Sequence, residues 1–127
     1  MTKKIKTILI FSSIAIALGV IGQLIFSNAN KPKVNLDAFA QCLTTSGAKF
    51  YGTFWCSHCK NQKEMFGSSL QYAPYVECSN ADATAQLQVC TDAGIQAYPT
   101  WIFVDGSELS GEISLAQLAQ KTGCQLP

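Results

Sequence analysis

Two thiols in "FYGTFWCSHCKNQ" (residues 50–62), Cys56 and Cys59, constrain this chain more than any other feature. Residues three apart on a helix lie on the same side, so the spacing suits a redox pair, half of a zinc clip or a short structural bridge alike. The remaining four cysteines, at 42, 78, 90 and 124, also lie in the C-terminal three-quarters of the 127-residue chain. An even cysteine count of this kind suits pairing in an oxidising compartment, and six cysteines allow about fifteen pairings in principle.

The compartment is read from the N-terminus. "TILIFSSIAIALGVIGQLIF", residues 7–26, carries no charge and is long enough to span a bilayer. Lys3, Lys4 and Lys6 precede it, which predicts a cytoplasmic N-terminus (1–6), a transmembrane signal anchor (7–26) and a periplasmic or extracellular remainder. A cleaved signal peptide is the alternative, with Ser27 and Ala29 as a small-x-small site, although its apolar stretch is usually about 7–15 residues. Residues 27–33, with Lys31, Pro32 and Lys33, read as a linker, and 34–127 as one small domain. From Val34 onward four lysines face eight acids, a net charge of −4, so no basic patch is present to bind nucleic acid.

Within the domain, Asn35 is placed to cap a helix with Leu36, Phe39, Ala40 and Leu43 on its inner face, ending at Gly47. "AKFYGTF" (48–54) reads as a strand despite Gly52, and a helix follows from Ser57 to Ser69, weakened at Gly67. Tyr75–Cys78 reads as a second strand. "ATAQLQVCTDA" (83–93) reads as a helix capped by Asn80 or Asp82 and ending at Gly94, with Leu87 and Cys90 inward. Thr100–Val104 and Glu108–Ile113 form a hairpin about Asp105-Gly106. Ser114 and Gln117 make a capping box for a last helix, with Leu115, Leu118 and Ala119 inward and Gly123 at its end. The expected order is α-β-α-β-α-β-β-α.

A Trp-Cys-x-x-Cys between strand and helix, followed by "YPT" (98–100) before a hairpin and a last helix, resembles the thioredoxin fold over residues 34–127. The resemblance implies an α/β domain with a central mixed four-stranded sheet flanked by helices. "LDAFAQCLTTSGAKFYGTFWCSHCKNQKEMFG", "YVEC", "GIQAYPTWIF" and "SGEISLAQLAQKTGC" are similar, more narrowly, to the thioredoxin-like domain fused to bacterial homologues of vitamin K epoxide reductase. Those fusions carry a multi-helix quinone-reducing domain. Here a single apolar segment stands instead, so such a reductase would be a separate chain.

The resemblance implies that Cys56 attacks and Cys59 resolves. Cys56 at a helix N-terminus sits where backbone N–H groups favour a thiolate, with His58, when protonated, adding to the effect. Ser57 stands where strong oxidants of this family commonly carry proline. Trp55 is expected to pack and shield. Pro99 resembles the cis-proline that faces the motif, with Tyr98 and Thr100 completing a groove for an extended substrate; the other reading is a trans proline opening an edge strand. The buried acid found six residues before the first motif cysteine in classical thioredoxins is Phe50 here, so proton transfer to Cys59 needs water or another group. The inferred fold also places Cys42 near Cys124, and Cys78, ending a strand, near Cys90 on the next helix, which predicts the disulfides Cys42–Cys124 and Cys78–Cys90. The zinc reading would draw Cys78 and Cys90 in as ligands, without the close second pair usual in zinc ribbons.

The expected function is a membrane-anchored thiol:disulfide oxidoreductase without metal or organic cofactor. Its partners would be cysteines of secreted proteins and a quinone reductase of the vitamin K epoxide reductase type. A reductase or isomerase of disulfides is the alternative within enzymes, and a non-catalytic thioredoxin-like binding module the alternative outside them.

Overall fold

In a computed structural model the chain is described over residues 34–127; the expected tail 1–6, anchor 7–26 and linker 27–33 lie outside the described residues. Helix α1 (Asp37–Thr45) buries Phe39, Ala40 and Leu43, one face at helical spacing. The expected cap, Asn35, lies one position outside the N-cap, which is Leu36. The Asn35 Oδ1 accepts the Asp37 N–H at 2.8 Å, while the first helical carbonyl is that of Leu36, bonded to the Ala40 N–H. Gly47, at φ 81°, ends the helix in a left-handed geometry that costs a glycine little.

Strand β1 (Lys49–Gly52) lies inside a four-stranded sheet. It runs parallel to β2 (Tyr75–Glu77) and antiparallel to β3 (Thr100–Ile102), which pairs antiparallel with β4 (Glu108–Ser110). The mixed four-stranded sheet and the element order are as expected. Alternation along β1 sends Phe50 to one face and Tyr51 to the other. Phe50 joins Phe39, Leu43, Phe66, Trp101 and Leu118 in the larger core, stacking on Trp101 at 5.0 Å between centroids. Tyr51 packs with Cys78, Cys90 and Ile95 on the opposite side. Burying each such large side chain stabilises the fold by about 1.5–3 kcal/mol, so Phe50→Ala alone is a severe lesion.

The motif helix and the segment after β2 depart from expectation. Helix α2 (Ser57–Glu64) stops five residues short of Ser69, because Gly67 turns the chain at φ 53° and a 3-10 helix follows (Gly67–Tyr72). Of the helix expected over 83–93 only α3 (Gln88–Asp92) forms. Asn80, expected as its cap, instead accepts the N–H groups of Thr84 and Ala85 on its Oδ1, and Ala83 sits at φ 56°, outside the helical region. Leu87, expected inward beside Cys90, is exposed. Both hairpin strands are shorter than expected: Val104 is an exposed turn residue, and Gly111 at φ 95° bends the chain so that Ile113 enters the core beyond β4. The last helix, α4 (Leu115–Thr122), has the expected capping box of Ser114 and Gln117 and ends at Gly123, φ 75°.

Candidate active site

Helix α2 starts where the chain leaves β1, which sets Cys56 at its N-cap and Cys59 one turn in. The Cys56 sulfur accepts the Cys59 backbone N–H at 3.3 Å, one of the donors a helix start leaves without an internal partner. Negative charge on that sulfur is favoured there. Both thiols are free. Cys56 is partly exposed and Cys59 has no accessible surface, so a partner protein reaches only the first.

Gly52, the unusual glycine inside a strand, explains how deep Cys59 sits. A Cβ at position 52 would fall 3.0 Å from the Cys59 sulfur and 3.2 Å from Cε2 of Tyr75. The missing side chain is the space in which thiol and ring edge meet. Burial pushes the Cys59 thiol up to about 12, helped by its hydrogen bond with Cys56 and opposed by a Thr53 backbone hydrogen bond and the Lys63 charge.

Opposite the motif, the Tyr98–Pro99 peptide is cis, and the Tyr98 carbonyl oxygen lies 3.8 Å from the Cys56 sulfur. The Tyr98 ring meets Trp55 edge-on at 6.2 Å. Trp55 is half exposed and donates its Nε1–H to Ser79 Oγ at 3.0 Å. Trp55, Ser79 and Tyr98, with Thr53, Thr84 and Gln86, line a cleft of about 250 Å³ beside the motif, whereas Pro99, expected in the groove, is buried behind it. Thr100 does not line it. Its side chain is buried, with its hydroxyl bonded to the Ala97 carbonyl and to Ser110 Oγ, both at 2.9 Å, so it braces the turn under Pro99 instead of facing a substrate.

Ser57 and His58 are exposed on the first turn of α2. His58 Nδ1 lies 2.6 Å from Oε1 of Glu112, which also accepts from Asn61 Nδ2 at 2.9 Å. Those two hydrogen bonds hold the Glu112 carboxyl below the usual carboxylate range. A carboxylate against the imidazole offsets part of the positive charge that His58 offers Cys56.

Three residues that sequence reasoning passed over meet at the Tyr75 ring, whose edge borders Cys59 across Gly52. Glu77 accepts the backbone N–H groups of Phe54 and Ser79 on Oε1, at 3.2 and 3.0 Å, and the Tyr75 hydroxyl on Oε2 at 2.6 Å. Lys63 sets its ammonium 3.6 Å above the Tyr75 ring. Burial, and then Glu77, push the Tyr75 phenol well above its ordinary value. Lys63 was open to discovery, standing four residues after Cys59 on one helix. Glu77 was not, because only the parallel register pairing Gly52 with Glu77 brings it to the site.

Cys42–Cys124 and Cys78–Cys90 are disulfides, with Cα atoms 5.8 and 5.6 Å apart. Cys78 and Cys90 are thus joined to each other and present no thiolates to complete a zinc site with the motif.

The sequence model of the family described as Thioredoxin matches residues 33–122. Thiol-disulfide oxidoreductase LTO1 of Arabidopsis thaliana is 50% identical to this chain over 93 residues, 70% of the chain and 24% of that protein. The Schistosoma mansoni protein named "Probable protein disulfide-isomerase ER-60" is 30% identical over 84 residues, 63% of the chain and 17% of its own length. The chain therefore spans a quarter or less of the curated relatives it matches. Since the family match runs from α1 to the end of α4 and takes in both motif cysteines and the cis proline, this chain belongs to the thioredoxin family.

Proposed function

We propose that the chain is a thiol:disulfide oxidoreductase that exchanges disulfides with protein substrates through Cys56 and Cys59. The asymmetry of the pair carries the reading: a reachable sulfur at a helix N-terminus and a buried one a turn behind it. In the oxidising direction a substrate thiolate attacks Cys56 in the Cys56–Cys59 disulfide, and Cys59 leaves. A second substrate thiolate then attacks the substrate sulfur of the mixed disulfide. The substrate departs with a disulfide, and Cys56 leaves as a thiolate that the helix N-terminus stabilises. Two electrons pass to the protein without an organic cofactor. An extended substrate segment lies along the backbone at Tyr98–Pro99, within reach of the Cys56 sulfur. The test is mixed-disulfide trapping: Cys59→Ser should accumulate adducts with partner proteins, and accumulation in Cys56→Ser instead would reverse the roles.

The finer reading extends this to a protein anchored by residues 7–26, with 34–127 on the oxidising side, delivering electrons from secreted proteins to a separate quinone reductase of the vitamin K epoxide reductase type. It is supported by the uncharged run behind three lysines, by the quoted resemblance, and by two disulfides of the kind that persist in oxidising compartments. Protease added outside intact cells, after removal of any outer barrier, should shave the domain. Its full protection while a known external domain is digested would place the thiols in the cytoplasm.

One observation favours the opposite direction of flow. Glu112 against His58 weakens a feature that makes such a pair oxidising, which suits a disulfide reductase or isomerase. The reduction potential of the pair decides: thiol enzymes of this kind range from about −120 mV for strong oxidants to about −270 mV for reductants.

A further inference from the structure

Cys59 has to lose a proton to close the Cys56–Cys59 disulfide, yet it is the more deeply buried thiol and the strand beneath it carries Phe50 in the core instead of an acid. The groups facing it are few. From α2 come Cys56 and Lys63, from β2 Tyr75, and from the loop before β3 Tyr98, while Glu77 stands two residues along β2, at the Tyr75 hydroxyl.

Parallel pairing of Gly52 with Glu77, and of Phe50 with Tyr75, puts the side chains of Tyr75 and Glu77 on the sheet face that Gly52 leaves open to Cys59. The Tyr75 ring edge next to the hydroxyl and the Cys59 sulfur both border the empty Cβ position of Gly52, at 3.2 and 3.0 Å. From that edge the hydroxyl runs to Glu77 Oε2 at 2.6 Å, and Lys63 lies over the same ring. The carboxylate is partly exposed, so a proton arriving there has a way out to solvent.

We infer that Glu77, reached through the Tyr75 hydroxyl, takes the proton from Cys59 as that thiol closes the disulfide and returns it when the disulfide is opened. The inference rests on the exchange reading above. In the closing step the Cys59 proton passes across one water to the Tyr75 oxygen, as the Tyr75 proton passes to Glu77. The Cys59 sulfur attacks Cys56, the Cys56–Cys59 bond forms, the bond from Cys56 to the partner sulfur breaks, and the partner leaves as thiolate. Glu77 ends protonated and Tyr75 unchanged. General-base help of this kind is worth about 10²–10⁴ in rate.

The test mixes reduced protein with a stoichiometric aromatic disulfide whose released thiolate is coloured, followed by stopped flow across pH. The first equivalent reports attack by Cys56 and the second closure by Cys59, so a missing first phase counts against the exchange reading itself and not against the relay. In the native protein the second phase should be nearly flat from about pH 7 to 9. In Glu77→Gln, which keeps an acceptor oxygen for Phe54 and Ser79, it should be slowed at least about tenfold at pH 7 and rise about tenfold per pH unit. Tyr75→Phe should lose the flat limb in the same way, and it serves alone should Glu77→Gln not fold. A second phase unchanged, or slowed by one constant factor at every pH, marks Glu77 as only a backbone brace and overturns the relay; a native profile in Tyr75→Phe overturns the route through the hydroxyl.

Discussion

His58 and Glu112 meet at 2.6 Å across 54 positions of chain, tying the first turn of the motif helix to the bend ahead of α4. The pair joins the redox site to a segment far from it in sequence, and it makes charge at His58 a shared property. Replacing Glu112 by Gln takes a negative charge away from the first turn of the motif helix, which favours the Cys56 thiolate, and so the reduced form. The couple should become more oxidising. Both groups are solvated, so the expected change is about two- to fivefold in the equilibrium constant with glutathione at about pH 6, and it should fade in high salt. A shift toward a more reducing couple would contradict the assignment.

Gly52→Ala should strike stability and chemistry together. The new methyl group meets a sulfur at 3.0 Å and a ring at 3.2 Å, neither of which is the far end of a flexible side chain. Overpacking of this sort costs about 1–3 kcal/mol. Urea unfolding should show that loss along with slower closure of the disulfide. An unchanged midpoint would mean that Cys59 and Tyr75 shift aside freely.

Alkaline pH should separate the reduced protein from the oxidised one. Burial holds the Cys59 thiol up to about 12 against an ordinary 9.0, so the folded state keeps a proton that the unfolded chain gives up. The associated stability is fully present below pH 9 and is lost as pH rises toward 12, at about 1.4 kcal/mol per unit. The oxidised protein has no thiol there to titrate. Urea midpoints of the two forms, with the other disulfides intact, should draw apart above pH 9; parallel curves would refute the shift.

The two structural bridges should differ in worth and resist mild reduction. They join positions 82 and 12 apart, about 4.5 and about 3 kcal/mol on the chain-entropy model. Replacing Cys42 and Cys124 together by Ala should therefore cost more than replacing Cys78 and Cys90. Peptide mapping after gentle reduction should find Cys56 and Cys59 alkylated and both other links intact. Free thiols at 78 or 90 before 56 and 59 react would contradict the burial that protects them.

Signals contained within a few residues were the legible ones. Ser114 and Gln117 form their capping box from a four-residue pattern, Gly47 and Gly123 end their helices with positive φ, and the strand-Cys-x-x-Cys-helix order set the thiols where they lie. Residues 80–87 misled because "ATAQLQ" has helical composition, while one Asn80 side chain takes two N–H groups and holds the segment as a loop. Phe50 announced that an acid was missing, but its replacement was hidden. Glu77 becomes a neighbour of Gly52 only through strand pairing across 25 positions, information that no local pattern carries.

The bridge from Cys42 to Cys124 makes nearly the whole described domain a closed circuit, running out through the motif helix and all four strands and back through sulfur. A second, smaller loop is inserted in it between Cys78 and Cys90. A break in the main chain anywhere from 79 to 89 leaves the large circuit closed through that shortcut, and a single break elsewhere within it turns a ring into a line without freeing a piece. The exchangeable pair at 56 and 59 thus operates within a doubly fastened ring. It handles bonds of the same kind as its own fasteners, and what distinguishes Cys56 is its place at a helix N-terminus, where its sulfur accepts a backbone N–H.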